Sequence, residues 1–244
     1  MEILGTSAKT WNEIHAVGDP LRLQVLEFKV IPRSTALVII DMQKYGCRHD
    51  MALGKLLTKT DPEAAKYWFS RLKDIVIPNI QELVSFFRNN RLNVCFACFG
   101  PLTPDGHDLK PSRCITPHRK WAQAAGSDHL WYPGTVEHEV IDELKPENGE
   151  ILFNKNTGSA FTSTNIDHIL RNMEIESLVI TGVATDSCVE TTARDASDRG
   201  YNCILVEDGC CARAQERHDM TMKTFASIFG RVMYTSEVID CLRL

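Results

Sequence analysis

The sequence predicts an α/β protein, a parallel sheet covered by helices on both faces. Three observations carry this. Apolar runs of strand length alternate with amphipathic stretches along most of the chain. The strongest run, Ala36–Ile40, is continuously apolar, as a strand buried on both faces is. A further apolar run, Leu178–Ile180, breaks at Thr181 and Gly182 and passes straight into a helical pattern, the strand–turn–helix step of such sheets.

The elements follow in order. Residues 1–35 are weakly periodic, with Pro20 and Pro32 as breakers, and are expected to form an arm over the domain or a neighbouring subunit. Residues 36–42 form the first strand. A polar loop is expected over 44–61, and then a helix opened by Asp61 and Pro62, since proline suits the first helical turn. Trp68, Leu72, Ile75 and Val76 make its apolar stripe, which Pro78 kinks or restarts before Ile80, Leu83, Val84 and Phe87. Leu92–Phe99 is the second strand. Residues 100–135 are irregular and proline-rich, the length and character of a functional loop, with Trp121, Trp131 and Tyr132 either lining a pocket or anchoring the loop. A short helix over Val136–Leu144 precedes a third strand, Glu150–Asn154. Asn165 is expected to cap a helix bearing Ile166, Ile169 and Leu170. The fourth strand at Leu178 leads to a helix capped by Asp186 or Ser187, with Val189, Thr192, Ala193 and Ala196 on one face. Asn202–Val206 is the fifth strand, Met220, Thr224, Phe225 and Ile228 mark the next helix, and Arg231–Tyr234 is the sixth strand. Val238–Leu242 closes the chain. No repeat or low-complexity linker interrupts the pattern, so residues 36–244 read as one domain.

Composition limits the function classes. The 244 residues are 43% hydrophobic, enough for a real core. A net charge of -5 excludes the basic face that non-specific nucleic-acid binding needs. No apolar run reaches membrane-span length, and the first residues lack a basic stretch followed by an apolar one, so neither a span nor a secretory signal is expected. Nine scattered cysteines, an odd number in mostly apolar contexts, suit reduced thiols in a cytoplasm better than a disulfide framework. Cys95 and Cys98 share a strand and point to opposite faces, which makes them core rather than a redox or zinc pair.

Three positions stand where strands end. Cys188 lies in the first turn of the helix after the fourth strand, where free N–H groups and the helix dipole favour a thiolate and can hold an oxyanion. By itself it reads equally as a small residue packing helix on sheet. Asp41 ends the first strand, either as a loop or cap hydrogen bond or as a working carboxylate. Lys155 ends the third, either solvated or functional.

Three motifs resolve these alternatives. Val38–Gln43, Asn154–Phe161 and Thr181–Ala196 together resemble the isochorismatase-like cysteine hydrolases, which include nicotinamidase, N-carbamoylsarcosine amidohydrolase, ureidoacrylate amidohydrolase and the biuret and triuret hydrolases. The order and spacing match from residue 36 to about 235. The resemblance implies a three-layer, Rossmann-like fold whose six-stranded parallel sheet has the order 3-2-1-4-5-6. Strands 1 and 4 would then flank the switch point, bringing Asp41 to Cys188. Strand 3 would lie roughly 10 Å from strand 1, a gap a lysine on a returning loop largely spans.

The implied roles are Cys188 as nucleophile, Lys155 as the cation favouring its thiolate, and Asp41 as the general acid/base. The resemblance also implies a cis Val183–Ala184 peptide and an oxyanion hole from the Ala184 and Cys188 N–H groups. Gln43, Tyr45, Trp131, Asn156, Phe161 and Thr185 are expected around the substrate. The resulting expectation is thioester-mediated hydrolysis of a C–N bond in a small linear ureide or amide, of planar and uncharged character, since no basic residue besides Lys155 is placed there by motif. No cofactor and no metal are expected: the second strand ends in Phe99 and Gly100 without ligands, and Asp105 and His107 lie beyond it in the loop. Vinyl-ether hydrolysis, nicotinamide hydrolysis and a non-catalytic binding subunit remain as alternatives. The expected partners are a small-molecule substrate and further copies of the chain, in a homodimer or homotetramer.

Overall fold

The computed structural model describes residues 10–11, 15, 28–110 and 116–243. Six parallel strands form one sheet in the order β3-β2-β1-β4-β5-β6. They are β1 (Thr35–Ile40), β2 (Asn93–Phe99), β3 (Ile151–Lys155), β4 (Ser177–Val183), β5 (Asn202–Cys211) and β6 (Arg231–Met233).

Alternation along each strand splits the core in two. Leu37, Ile39, Val94, Phe96 and Cys98 face one side. There they meet α3 (Pro62–Arg71), which passes through a wide turn, Leu72–Val76, into α4 (Ile77–Asn89). Ala36, Val38, Ile40, Cys95 and Ala97 face the other side. That side is covered by α6 (Ala160–Ser163), α7 (Ile166–Asn172), α8 (Glu190–Asp198) and α9 (Gln215–Ile228). The closing helix α10 (Thr235–Leu242) packs beside α4. Cys95 and Cys98 thus sit in different cores, as their spacing predicts. All the cysteines among the described residues are unpaired.

Several elements differ from expectation. The segment 44–61 holds two helices, α1 (Lys44–Cys47) and α2 (Ala52–Thr60), because Ala52, Leu53 and Leu57 find an apolar partner surface that a sequence does not display. The irregular stretch contains α5 (Thr116–Ala125), which packs on α2. Val136–Leu144 is two separate single turns, parted by Val140, which bridges to Gln43. Asp61 caps α3 as expected, accepting from the Ala64 N–H at 3.0 Å. Asn165 makes no side-chain cap; Thr164 accepts from the Ile166 N–H instead. The stripe of α9 is rotated: Met220 and Ile228 are exposed, while His218, Met222 and Phe225 are buried. The proposed arm lies mostly outside the described residues. Trp11 is within them, buried in the second core with its backbone N–H on Glu237.

Candidate active site

The three strand-end residues meet at the switch point between β1 and β4. Ile40 pairs with Gly182 in the last register of those strands. Gly182 is required there: its φ is +113°, and a Cβ would lie 2.0 Å from the Ile40 carbonyl oxygen. Asp41 follows β1 with a φ of 51°, in the left-handed region that disfavours non-glycine residues. Its N–H is held by the Ala97 carbonyl at 2.9 Å, and its carbonyl accepts from the Gln43 N–H at 2.8 Å. Those bonds hold the unusual backbone that turns the carboxylate over the sheet.

Lys155 crosses β2 to reach it. Its ammonium passes 5.1 Å from the centre of the Phe99 ring and donates to Asp41 Oδ2 at 2.9 Å and to the Thr157 carbonyl at 3.2 Å. Lysine and aspartate are 0% and 2% exposed, so this is a fully buried ion pair. The turn after Lys155 is fastened to α8. Ser159 accepts from the Phe161 N–H and donates to Asp195, and Thr192 accepts from the Ala160 N–H. The second and third sequence motifs are therefore one interlocked unit.

The turn that carries Cys188 leaves β4 through a cis Val183–Ala184 peptide bond. The helix begins at Thr185, earlier than expected, with Ala184 in the cap position and without a side-chain cap. Asp186 pairs with Arg217 instead of capping. Cys188 lies within electrostatic reach of both Asp41 and Lys155. Among the described residues, Asp41 Oδ1 has no hydrogen-bond partner.

Burial pushes the Cys188 thiol up to about 12, with the Asp41 carboxylate adding to the effect and Lys155 opposing it. Burial likewise raises the Asp41 carboxyl above its ordinary value, against the pull of Lys155. Burial alone would depress Lys155, but Asp41 and Cys188 outweigh it and the ammonium is held above its ordinary value. Burial therefore works against the thiolate that Lys155 and the helix turn favour, and Lys155 is held as the ammonium.

A cavity of about 360 Å³ opens onto Asp41, Val183, Ala184, Ser187 and Cys188. Its walls are largely aromatic, from Tyr45, Trp68, Phe99, His118 and Trp121. Trp131 stacks between Tyr45 (4.1 Å between ring centres) and Trp121 (5.9 Å), making a three-ring wall. Arg213 stands exposed at the rim. Among the described residues no side-chain hydrogen bond, ion pair or ring contact engages it.

Of the six residues expected around substrate, only Tyr45 lines this cavity. Gln43 is buried and its amide is consumed by β2 and the loop beyond: Oε1 accepts from the Phe99 N–H at 2.7 Å, and Nε2 donates to the Phe99 and His138 carbonyls. Trp131 backs the wall from behind. Asn156 donates to Asp108 and ties the loop of residues 100–110 to the Lys155 turn. Phe161 packs against Tyr201 in the second core. Thr185 pairs with His218 at 2.9 Å. Asp105 and His107 bond to each other on the exposed loop, away from the cavity. Trp68 and Leu53 were legible only as apolar stripe residues or not at all. Arg213 carried no sequence signal, because only the return of β5 beside the nucleophile turn puts it at the rim.

A family model described as the isochorismatase domain matches residues 35–237. The chain is 29% identical over 252 residues to the ureidoacrylate amidohydrolase of Acinetobacter baylyi, covering 97% of this chain and 95% of that one. It is 31% identical over 193 residues to the ureidoacrylate amidohydrolase of Agrobacterium fabrum, covering 78% and 80%. Among solved structures, a cysteine hydrolase from Pseudomonas syringae pv. phaseolicola superposes with a TM-score of 0.71 at 25% identity, covering 89% of this chain and 96% of that one. N-carbamoylsarcosine amidase from Thermoplasma acidophilum superposes with a TM-score of 0.61 at 27% identity, covering 83% and 96%.

Proposed function

The chain belongs to the isochorismatase family, and from that premise we propose that it is a cysteine-dependent amidohydrolase that cleaves a C–N bond of a small, carboxylate-bearing ureide or amide. The observation that carries this reading is the buried Asp41–Lys155 pair beside Cys188, with Asp41 and Cys188 opening onto an aromatic-lined cavity. The ureidoacrylate amidohydrolases among its relatives support the same class.

In the proposed reaction the substrate carbonyl enters beside Cys188 and the free Asp41 Oδ1 takes the thiol proton. The sulfur adds to the carbonyl carbon, and the oxyanion is received by the Ala184 and Cys188 N–H groups. The tetrahedral adduct collapses, and Asp41 returns its proton to the leaving nitrogen, which departs as amine or ammonia. Water, deprotonated by Asp41, then attacks the thioester and frees the acid or carbamate and the thiol. Lys155 stays charged throughout and keeps the carboxylate in place. No step calls for a metal or an organic cofactor.

Substrate character follows from the walls. The Tyr45–Trp131–Trp121 stack suits a planar ureide face. Arg213 at the rim suits a carboxylate, which replaces the uncharged ligand expected from the motifs alone. A homo-oligomer remains our proposal for the assembly, with exposed Leu152 on the edge strand β3 available to a second copy. Light scattering tests it against the 27.5 kDa monomer. No helix among the described residues is long and apolar enough to cross a membrane.

The test of function is ammonia release from ureidoacrylate, N-carbamoyl amino acids, biuret and nicotinamide, compared side by side. Cys188→Ala, a small change that leaves the fold intact, is the control. The expected outcome is the highest kcat/KM on a carboxylate-bearing ureide and no turnover by the variant. Turnover by Cys188→Ala within tenfold of the parent refutes the mechanism, and a tenfold preference for nicotinamide refutes the substrate class.

A further inference from the structure

Outside the cavity, a chain of buried polar side chains runs from α3 to the nucleophile turn. Arg71 is 8% exposed; its Nε donates to the Cys210 carbonyl and its Nη2 to Glu207 Oε1, both at 3.1 Å. His218 on α9 is 0% exposed. Its Nε2 lies 3.0 Å from both Glu207 Oε1 and Arg71 Nη2, and its Nδ1 lies 2.9 Å from Thr185 Oγ1. Thr185 is itself buried and follows Ala184 directly, at the start of the turn that carries Cys188. Arg71, Glu207 and His218 do not line the cavity, and the reaction described above gives them no work.

Arg71, Glu207 and His218, from three elements, thus form a relay that ends on one hydroxyl, which His218 alone touches. Burying them is costly unless each is satisfied, and apolar residues at Arg71 and His218 would fill the same space. A threonine left to itself in this turn can rotate and bond its own backbone. Held by His218 it cannot, and the peptide on its N-terminal side is held with it. The Ala184 N–H lies one peptide further back, in the Val183–Ala184 bond, so fixing Thr185 constrains it through the Ala184 backbone, and its value as an oxyanion donor depends on an aim good to a few tenths of an ångström.

We infer that His218, oriented by Glu207 and Arg71, is a positioning residue: it fixes Thr185 and thereby aims the Ala184 N–H at the oxyanion. The inference rests on the acyl-transfer reaction proposed above. It predicts a defect confined to steps that form an oxyanion.

Two reagents separate those steps from thiol reactivity. p-Nitrophenyl acetate acylates a thiol through a tetrahedral oxyanion and expels p-nitrophenolate. Iodoacetamide alkylates the same sulfur by displacing iodide at a saturated carbon, with no oxyanion, the thiol proton passing to base in both cases. Rates at Cys188 are measured with each reagent, the label being located by peptide mass spectrometry, for the parent, Thr185→Val, Thr185→Ser and His218→Leu. Thr185→Val and His218→Leu are expected to slow acylation at least tenfold while alkylation stays within threefold. Thr185→Ser, which keeps the hydroxyl, is expected to acylate within threefold of the parent. Should His218→Leu not fold, the near-isosteric Thr185→Val decides. Equal loss of acylation and alkylation, or no loss of acylation, overturns the inference while leaving the proposed function standing. A parent Cys188 inert to both reagents refutes the nucleophile itself and the inference with it.

Discussion

Asp41→Asn tests the heart of the site because it separates stability from chemistry. Asp41 and Lys155 form an ion pair at 2.9 Å with 2% and 0% exposure. Removing one partner strands the other charge, which typically costs about 3–5 kcal/mol. At roughly 2–4 °C per kcal/mol for a chain of this size, the melting temperature should fall by roughly 6–20 °C. The loss has a ceiling, because burial depresses Lys155 and Asp41 is the main influence holding it up. In the variant the lysine can shed its proton, so the deficit should be largest at low pH and shrink as pH rises through the lowered value. Asp41→Asn/Lys155→Met removes both charges, and its melting temperature should lie closer to the parent than that of either single variant. Asp41→Asn and the double variant should lose the acylation burst with p-nitrophenyl acetate, by about 10²–10⁴-fold for the missing acid/base group. The assay is circular-dichroism melting between pH 6 and 9 beside stopped-flow acylation. Single variants melting within about 2 °C of the parent, or a double variant as unstable as the sum of the two, would refute the claim that this pair is mutually dependent.

The pH profile of kcat/KM should show its acid limb above the ordinary aspartate value of 3.8, because Asp41 must be ionised to take the thiol proton and burial raises it. It should then stay flat to at least pH 9, since Lys155 is held above 10.5 and Cys188 is pushed up to about 12; a rise near pH 9 that follows an ordinary thiol would contradict this. The stability terms have matching signs: Lys155 contributes fully below 10.5 and its contribution is lost as pH rises through its folded value, while Asp41 favours the fold only until it ionises. Arg213→Gln should raise KM tenfold or more for a carboxylate-bearing ureide but less than threefold for biuret, and an equal effect on both substrates would remove the carboxylate assignment. Gly182→Ala forces a Cβ onto the Ile40 carbonyl at a φ of +113° and should cost on the order of 3 kcal/mol, read as a lower urea midpoint; an unchanged midpoint would show that the β1–β4 approach can relax.

Much of the molecule is written in local pattern. The continuously apolar runs at Ala36 and Leu178 predict strands buried on both faces, and both lie in the middle of the sheet. Asp41, Cys188 and Lys155 were legible because each stands where a strand ends. Strand ends are where a parallel sheet must present its functional groups, and the family's motifs assign the strand order that brings them together. What failed was whatever depends on a partner surface. The α2 helix is an amphipathic segment whose apolar side has meaning only against α3 and α5. Met220 and Ile228 look like core, yet α9 is turned so that His218 faces inward toward Glu207 and Arg71. Gln43, Asn156, Phe161 and Thr185 lie near the proposed catalytic residues in sequence, which suggested substrate contact. Proximity along a chain does not fix direction, and each of these side chains is engaged in holding the scaffold. The sequence alone determined the fold class and singled out the three side chains proposed to do the chemistry. Tertiary structure decided the burial that opposes the thiolate, the cavity's aromatic wall and the place of Arg213, because burial, stacking and long-range charge exist only once distant segments share a space.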